Sequence, residues 1–327
     1  MTPNATQKQP YDRRMYLAQT LDPVHVGTGE FQLGRVDNTI VREAGTNLPK
    51  IPGSSLAGVV RAYTAMKTEG KYGCAGKGGG EGEEHCGQSD CPVCVTYGFS
   101  KGKLKHSFQG LAQFSDARIL FFPVYTLFGP IWITSPLTLE SAGVVTGKST
   151  AEWNSILAGY KLKLFHATPA SQKRINAGWL YLEIAPDVVN SPTHWIIDGH
   201  RNLSEVEYLR PALDRMAVIG DDLFSIVVED QLEVRTSVSI DPSTGAAAKG
   251  ALFTSEAIPR GTYLYLHVTV LDPQFFLVPG DKKKPAFDTD GLHGNALTGL
   301  RLMEYLGIGG AGTRGMGRTR IISTRAS

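Results

Sequence analysis

Ile51-Pro52-Gly53-Ser54-Ser55-Leu56-Ala57-Gly58-Val59-Val60-Arg61-Ala62-Tyr63-Thr64-Ala65-Met66 is the stretch on which the fold turns. Leu56, Val59, Val60, Tyr63 and Met66 recur at helical spacing, which predicts a helix with one buried face. Proline and serine before the apolar run mark its start, with Ser54 the expected N-cap. Upstream, residues 15–26 (MYLAQTLDPVHV) read as a strand. Between strand and helix lies a long polar connection, residues 27–50, and a connection of that length is usually functional. Asp37 and His25 belong to this region. On composition alone each has an ordinary explanation, a turn aspartate and a strand histidine.

Farther out the pattern changes. Residues 70–107 form an insertion of Gly, Lys, Glu and Cys with almost no core of its own. All four cysteines of the chain lie in it, spaced Cys74-x11-Cys86-x4-Cys91-x2-Cys94, with His85 beside Cys86. Clustered thiolates bind zinc tetrahedrally, and metal binding would supply the ordering energy that glycines cannot. A structural zinc on Cys74, Cys86, Cys91 and Cys94 is therefore expected, with His85 the alternative to Cys86. Beyond it, residues 111–120 and 124–139 look strand-like, and residues 150–218 give no clear pattern. Glu233 to Ile240 alternates, with Val234, Thr236, Val238 and Ile240 on one face. A turn follows at Asp241 to Gly245, and residues 262–271 read as the returning strand of a long hairpin. Leu297, Leu300, Met303 and Leu306 mark a helix stopped by Gly307, and a last strand runs over 319–323.

Between that helix and that strand lies Gly309-Gly310-Ala311-Gly312-Thr313-Arg314-Gly315-Met316-Gly317-Arg318. The formal G-x-G-x-x-G at Gly310, Gly312 and Gly315 does not open the βαβ unit that a dinucleotide fold requires, and no Lys-Ser/Thr pair makes it a Walker loop. A backbone cradle for phosphate survives, with Arg314 and Arg318 as charge partners. From 281 to 327 there are eight Lys and Arg against four Asp and Glu. The start of the helix at Ser54 and Ser55, with Arg61 assisting, is a second candidate phosphate site.

The chain has 327 residues, 42% of them apolar, enough for a full core. A net charge of +2 excludes a histone-like tail and a strongly acidic solvating protein. The polar first 14 residues lack a secretory core. The longest apolar stretch, 119–133, is broken by Pro123, Gly129 and Pro130, too short to span a bilayer. A cytoplasmic protein with no membrane partner is expected.

His25-Val26-Gly27-Thr28-Gly29, Val36-Asp37-Asn38, Val41-Arg42-Glu43 and Ile51-Pro52-Gly53-Ser54-Ser55-Leu56 together resemble the N-terminal signature of the RAMP superfamily, the RNA-binding proteins of CRISPR effector complexes. Phe114-Ser115-Asp116-Ala117-Arg118 with Phe122-Pro123-Val124, Ile240-Asp241-Pro242 with Gly250-Ala251-Leu252-Phe253, and the glycine loop are similar to the multi-copy backbone subunit of the type III-B (Cmr) complex, with the type III-A (Csm) equivalent next. The resemblance implies an α+β protein with a modified RRM-like, ferredoxin-type core. On that reading residues 1–14 are a lead, and residues 15–327 one domain carrying the zinc insertion (70–107) and a protruding thumb hairpin (225–270). It implies RNA contacts at His25, Ser54, Ser55, Arg61, Gly310, Gly312, Arg314, Gly315 and Arg318. Its partners would be CRISPR guide RNA, target single-stranded RNA, further copies of the chain and other type III subunits. Asp37 matches the family's cleaving aspartate, working with Mg²⁺ or another divalent cation; the alternative is a non-catalytic structural backbone. Ala57 stands where the family commonly has Lys, and Thr39 where it often has Pro.

Overall fold

The structure, a computed structural model, describes residues 9–29, 36–76, 85–100, 106–166, 172–186, 191–197, 199, 201–206, 208–279 and 281–323. Parts of the polar lead (1–8), the long connection (30–35) and the insertion (77–84, 101–105) lie outside them. An eleven-stranded mixed sheet organises the chain. Its first half runs in the order Thr319–Ser323, Tyr11–Thr20, Tyr263–Leu271, Ala117–Val124, every neighbour antiparallel. Met15 faces His267 and Ala18 faces Ile321 across these ladders. The sheet continues through Ile131–Thr134, Met216–Ile219, Lys161–Leu164, Leu180–Ile184 and Arg174–Ala177, with parallel and antiparallel pairs mixed.

Strand alternation explains why the sheet is covered on both faces. Along Tyr263–Leu271, Leu264, Leu266, Val268 and Val270 join the core under the two long helices, while Tyr263 and Tyr265 point to a second core. The helices are Gly53–Lys67 and Thr289–Leu306. They touch so closely at Gly299 that a Cβ there would lie 2.3 Å from the Val60 carbonyl oxygen. The second core holds Trp153, Trp195, Leu209 and Phe121. An open four-stranded sheet can stack bases on its exposed aromatics. Here that second core fills the face, so among the described residues no open sheet face is left for stacking.

Several expectations change. The first strand begins at Tyr11, inside the stretch read as a polar lead. Pro52, not Ser54, holds the N-cap position of the signature helix, and no side chain of its own caps it. Met66 is exposed, because the buried face is Leu56, Val60, Thr64 and Ala65. The insertion does contribute core: Cys91, Val93, Cys94 and Val95 are fully buried. The strand-like pattern at 124–139 ends in a short helix, Pro136–Ser141, capped by Ser135. The middle region supplies four described strands of the main sheet, each of only four or five residues and too short for a clear period.

The largest correction concerns the hairpin. Glu233–Ile240 pairs with Ala247–Ala257, not with Tyr263–Leu271, which lies in the middle of the main sheet. Residues 225–270 are therefore three things: the end of the helix Asp221–Asp230, a two-stranded hairpin over 233–257, and a core strand. The 263–271 strand carries the stronger pattern because a half-exposed strand shows a weaker apolar signal than a doubly buried one.

Candidate nucleic-acid interface and metal centre

The foot of the hairpin gathers the candidate RNA residues. Asn38 bridges to Ser255 in parallel, and the Asn38 N–H donates to the Thr254 carbonyl at 3.0 Å. This places the Asp37 carboxylate against Thr254, where Oδ2 accepts from the backbone N–H at 2.7 Å and from the hydroxyl at 2.9 Å. These bonds, the backbone one first, hold Asp37 below the ordinary carboxylate range. Residues 37–42 are thus an ordered strip laid along the hairpin. Two residues on, Glu256 is almost fully buried, pairs with Arg42 at 2.8 Å and accepts from the Ile40 N–H.

His25 reaches the same place from the other side. Its Nδ1 lies 2.5 Å from the Glu256 carbonyl oxygen, a contact that requires the ring nitrogen to be the donor. The His25 carbonyl accepts from the Gly310 N–H at 2.8 Å. Gly309, at φ +88°, passes so close that a Cβ would lie 2.2 Å from that carbonyl, so only glycine fits. Arg235 on the hairpin donates to the carbonyls of Arg314 and Gly315. His25, Asp37 and the glycine loop therefore converge through Arg235, Thr254 and Glu256, three hairpin residues that the sequence reading did not single out. Arg235 lay in a strand assigned the wrong partner, and Thr254 and Glu256 lay in a stretch not read as a strand.

The loop is less open than a full cradle. The N–H groups of Gly310, Arg314, Gly315 and Gly317 are taken by carbonyls of the fold. What remains outward is the exposed backbone at Gly312 and Thr313, beside the exposed Arg314. Arg314 forms no ion pair among the described residues, whereas Arg318 is held by both oxygens of Asp22, at 2.5 and 2.9 Å. Arg314 is the more available cation.

The other proposed phosphate site dissolves in part. Asp116 Oδ1 accepts from the Gly53 N–H at 2.8 Å, and its Oδ2 pairs with Lys50 at 2.6 Å. The positive end of the signature helix is thus already met by a carboxylate. A Cβ on Gly53 would lie 2.3 Å from the Phe114 carbonyl, which accounts for glycine there. Ser54 is exposed and Ser55 half-buried at this start, and neither bonds to the group around Asp37. Arg61 is a correction: its guanidinium points into the insertion, donating to the Cys74 carbonyl at 2.7 Å and meeting His85.

In that insertion Sγ of Cys74, Cys86, Cys91 and Cys94 all lie within 4.8 Å of one another. Cys86 and Cys94 sulfurs are 3.9 Å apart, close to the roughly 3.8 Å that tetrahedral zinc with bonds of about 2.3 Å imposes. The Cys94 N–H donates to Cys91 Sγ at 3.4 Å, as a two-residue knuckle does. Thiols this close do not ionise alike: hydrogen bonding with Cys74 first holds Cys86 far down and pushes Cys94 far up. Lys71 Nζ, 3.7 Å from Cys86 Sγ, adds positive charge. His85 stands outside the cluster, its Nδ1 3.0 Å from the Cys74 carbonyl. The four-sulfur set fits a zinc-type ion and leaves no open coordination position.

The sheet is covered on both faces, the hairpin foot gathers the candidate residues, and four cysteines clasp the insertion. The chain belongs to the RAMP superfamily, whose sequence profile matches residues 17–320. Within it, the chain is similar to the CRISPR system Cmr endoribonuclease Cmr4 of Pyrococcus furiosus, 28% identical over 314 residues and 92% of each chain. Its fold is similar to a chain of the type III-B Cmr-beta complex bound to cognate target RNA, with TM-score 0.61, 14% identity, and 96% and 98% of the two chains covered. It is also similar to oligomeric Cmr4 from Pyrococcus furiosus, with TM-score 0.52, 22% identity, and 96% and 100% covered. The resemblance to the Cmr branch is borne out. No helix among the described residues is long and apolar enough to cross a membrane.

Proposed function

We propose that this chain is the repeating backbone subunit of a type III-B effector, binding CRISPR guide RNA and cutting complementary single-stranded RNA. Its relative of that name is an endoribonuclease, and the solved likenesses include a complex with target RNA and an oligomer. Partners on this reading are guide RNA, target RNA, further copies of itself and the other effector subunits. The strand order 319–323, 11–20, 263–271, 117–124, with two helices on one face, supports an RRM-like, ferredoxin-type core. Hairpin 233–257 is then the thumb, and the four cysteines hold a structural zinc.

The observation that carries the cleavage reading is the ionised Asp37 carboxylate, fixed by Thr254 at the thumb's foot. RNA carries its own nucleophile, so the protein's task is alignment. Asp37 accepts a hydrogen bond from the 2′-hydroxyl and orients its oxygen in line with the adjacent phosphorus. The 2′-oxygen gives its proton to solvent water as it bonds to phosphorus, the bond to the 5′-oxygen breaks and that oxygen takes a proton from water, leaving a 2′,3′-cyclic phosphate and a 5′-hydroxyl. A depressed carboxylate is a weak base at neutral pH, so it serves better as an acceptor and anionic anchor than as a proton sink. Magnesium is usually held by one or two carboxylates plus substrate phosphates. Asp37 would be this chain's ligand, and the ion would supply neutralisation of phosphate charge. The same Thr254 bonds favour the second reading, in which Asp37 only braces the thumb of a non-catalytic backbone. Cleavage by the assembled complex with Mg²⁺, wild type against Asp37→Ala, separates them: a structural brace would leave the cutting rate intact once assembly is confirmed.

A further inference from the structure

Beside the strip that carries Asp37 opens a cavity of about 690 Å³, lined by Val36 and Thr39 on one side and by Trp179, Ile226, Glu229 and Asp230 on the other. Trp179 stands at its rim, 66% exposed at a hairpin tip, which is an unusual place for the largest apolar side chain. Ile226 is a second exposed apolar group on the wall. The floor is closed by the Arg42–Glu256 pair, so that arginine is already neutralised. Glu229 and Asp230 remain as excess negative charge. Glu229 Oε2 is steadied by Asn47 Nδ2 at 3.3 Å, and Asp230 Oδ2 by Gln231 Nε2 at 2.6 Å.

That combination repels phosphate and suits the edge of a base. An indole face accepts any nucleobase by stacking. Carboxylates only accept hydrogen bonds, so they select bases that donate. Guanine offers N1–H and N2–H side by side, a fork that one carboxylate can take with both oxygens. Cytosine and adenine offer one amino group, and uracil a single ring N–H flanked by carbonyls that the carboxylates oppose. The volume lies within the range of small-ligand pockets.

We propose that this cavity takes one unpaired nucleobase of bound RNA, stacked on Trp179 and read by Glu229 and Asp230, with guanine preferred and uracil disfavoured. The assignment rests on the RNA-binding reading above but not on cleavage. It adds a base-reading site to an interface whose other contacts are to the backbone.

The test uses the full chain and fluorescence-labelled uridine heptamers carrying guanosine, adenosine, cytidine or uridine at the central position. The guanosine oligomer should bind about five- to tenfold more tightly than all-uridine, in the range of one partly exposed bidentate base contact. Asp230→Asn with Glu229→Gln should erase that ratio while the all-uridine affinity holds or rises. Trp179→Ala should weaken every oligomer by a similar factor, and it should leave the slope of affinity against salt unchanged because no phosphate contact is lost. All of these residues are at least partly exposed, so the fold survives the changes. Equal affinities for all four oligomers, with RNA binding retained, would overturn the base pocket and leave the RNA-binding reading standing. Binding of none of them by the wild-type chain would sink both.

Discussion

Two appendages of this sheet are held in place by opposite means. The cysteine insertion is clasped from within: four sulfurs lie within 4.8 Å of one another, and the surrounding Val93, Cys94 and Val95 are dry. The hairpin 233–257 has almost no core. Val234, Val238, Ile240 and Leu252 face outward, and only its foot is fixed, through hydrogen bonds to Asp37, Asn38, Ile40 and His25. The first arrangement spends its chemistry on rigidity and offers none to a substrate. The second leaves strands exposed and concentrates polar groups where RNA would pass. Chemistry-bearing residues alone do not mark the working site; what they are bonded to does.

The comparison breaks most visibly if the clasp is removed. A chelator, or Cys91→Ser with Cys94→Ser, should unfold the segment around 72–97 and lower the melting temperature by many degrees, because metal binding is folding energy in such a module. RNA affinity should fall only as far as global folding does. Zinc analysis of fresh protein should give one ion per chain, and well under one would remove this side of the comparison.

Next in size is the hairpin foot. Thr254→Val deletes the hydroxyl that donates to Asp37 Oδ2 and accepts from the Asp37 N–H, but keeps the backbone N–H bond to the carboxylate. Target cleavage should drop about tenfold with zinc content unchanged, on the scale of a misplaced catalytic group. Single-turnover rates on assembled complexes check it, and a wild-type rate would mean that the position of Asp37 does not matter.

A smaller effect separates two arginines. Arg314→Ala should reduce the salt slope of guide-RNA binding by about one phosphate contact. Arg318→Ala, whose side chain is committed to Asp22, should change it less. The reverse order would show that Asp22 releases Arg318 to the RNA.

The smallest effect is in acid. His293 is buried against Tyr16, Asp12 and Arg14, and burial, reinforced by Arg14, pushes it down to about 4. The unfolded chain therefore binds a proton that the folded one refuses. Stability is fully present above the ordinary histidine value of about 6.5 and declines as pH falls toward 4. Asp37, by contrast, is held below the ordinary carboxylate range by its Thr254 bonds. Melting temperature should slope downward with acid, and His293→Gln should flatten the slope. An activity limb near pH 6 that persists in that variant would point to a different catalytic group.

How much of this was readable beforehand follows the same division. The clasp announced itself, since four cysteines in 21 residues have few other uses. The terminal helix, its stop at Gly307 and the last strand were also plain, because long periods and glycine stops are local signals. The hairpin partner was misassigned because pairing is non-local and the core strand 263–271 carried the louder pattern. Arg61 was assigned to RNA by proximity to the serines, yet helical geometry turns it toward Cys74. Nothing in the sequence said that Asp116 would occupy the signature helix start, or that Thr254 would hold Asp37; both contacts join residues far apart in the chain. Trp179 lay in a stretch with no readable period.

The central claim is that the Asp37 carboxylate, and not merely its place under the thumb, cuts RNA. Asp37→Asn tests it most directly, because an amide oxygen can still accept from Thr254 while the charge is gone. Complexes assembled with guide RNA and Mg²⁺ should show unchanged melting, zinc content and guide affinity, with target cleavage slowed about 10²-fold, the scale of lost alignment. Cleavage of complementary RNA at the wild-type rate by that variant would contradict the account.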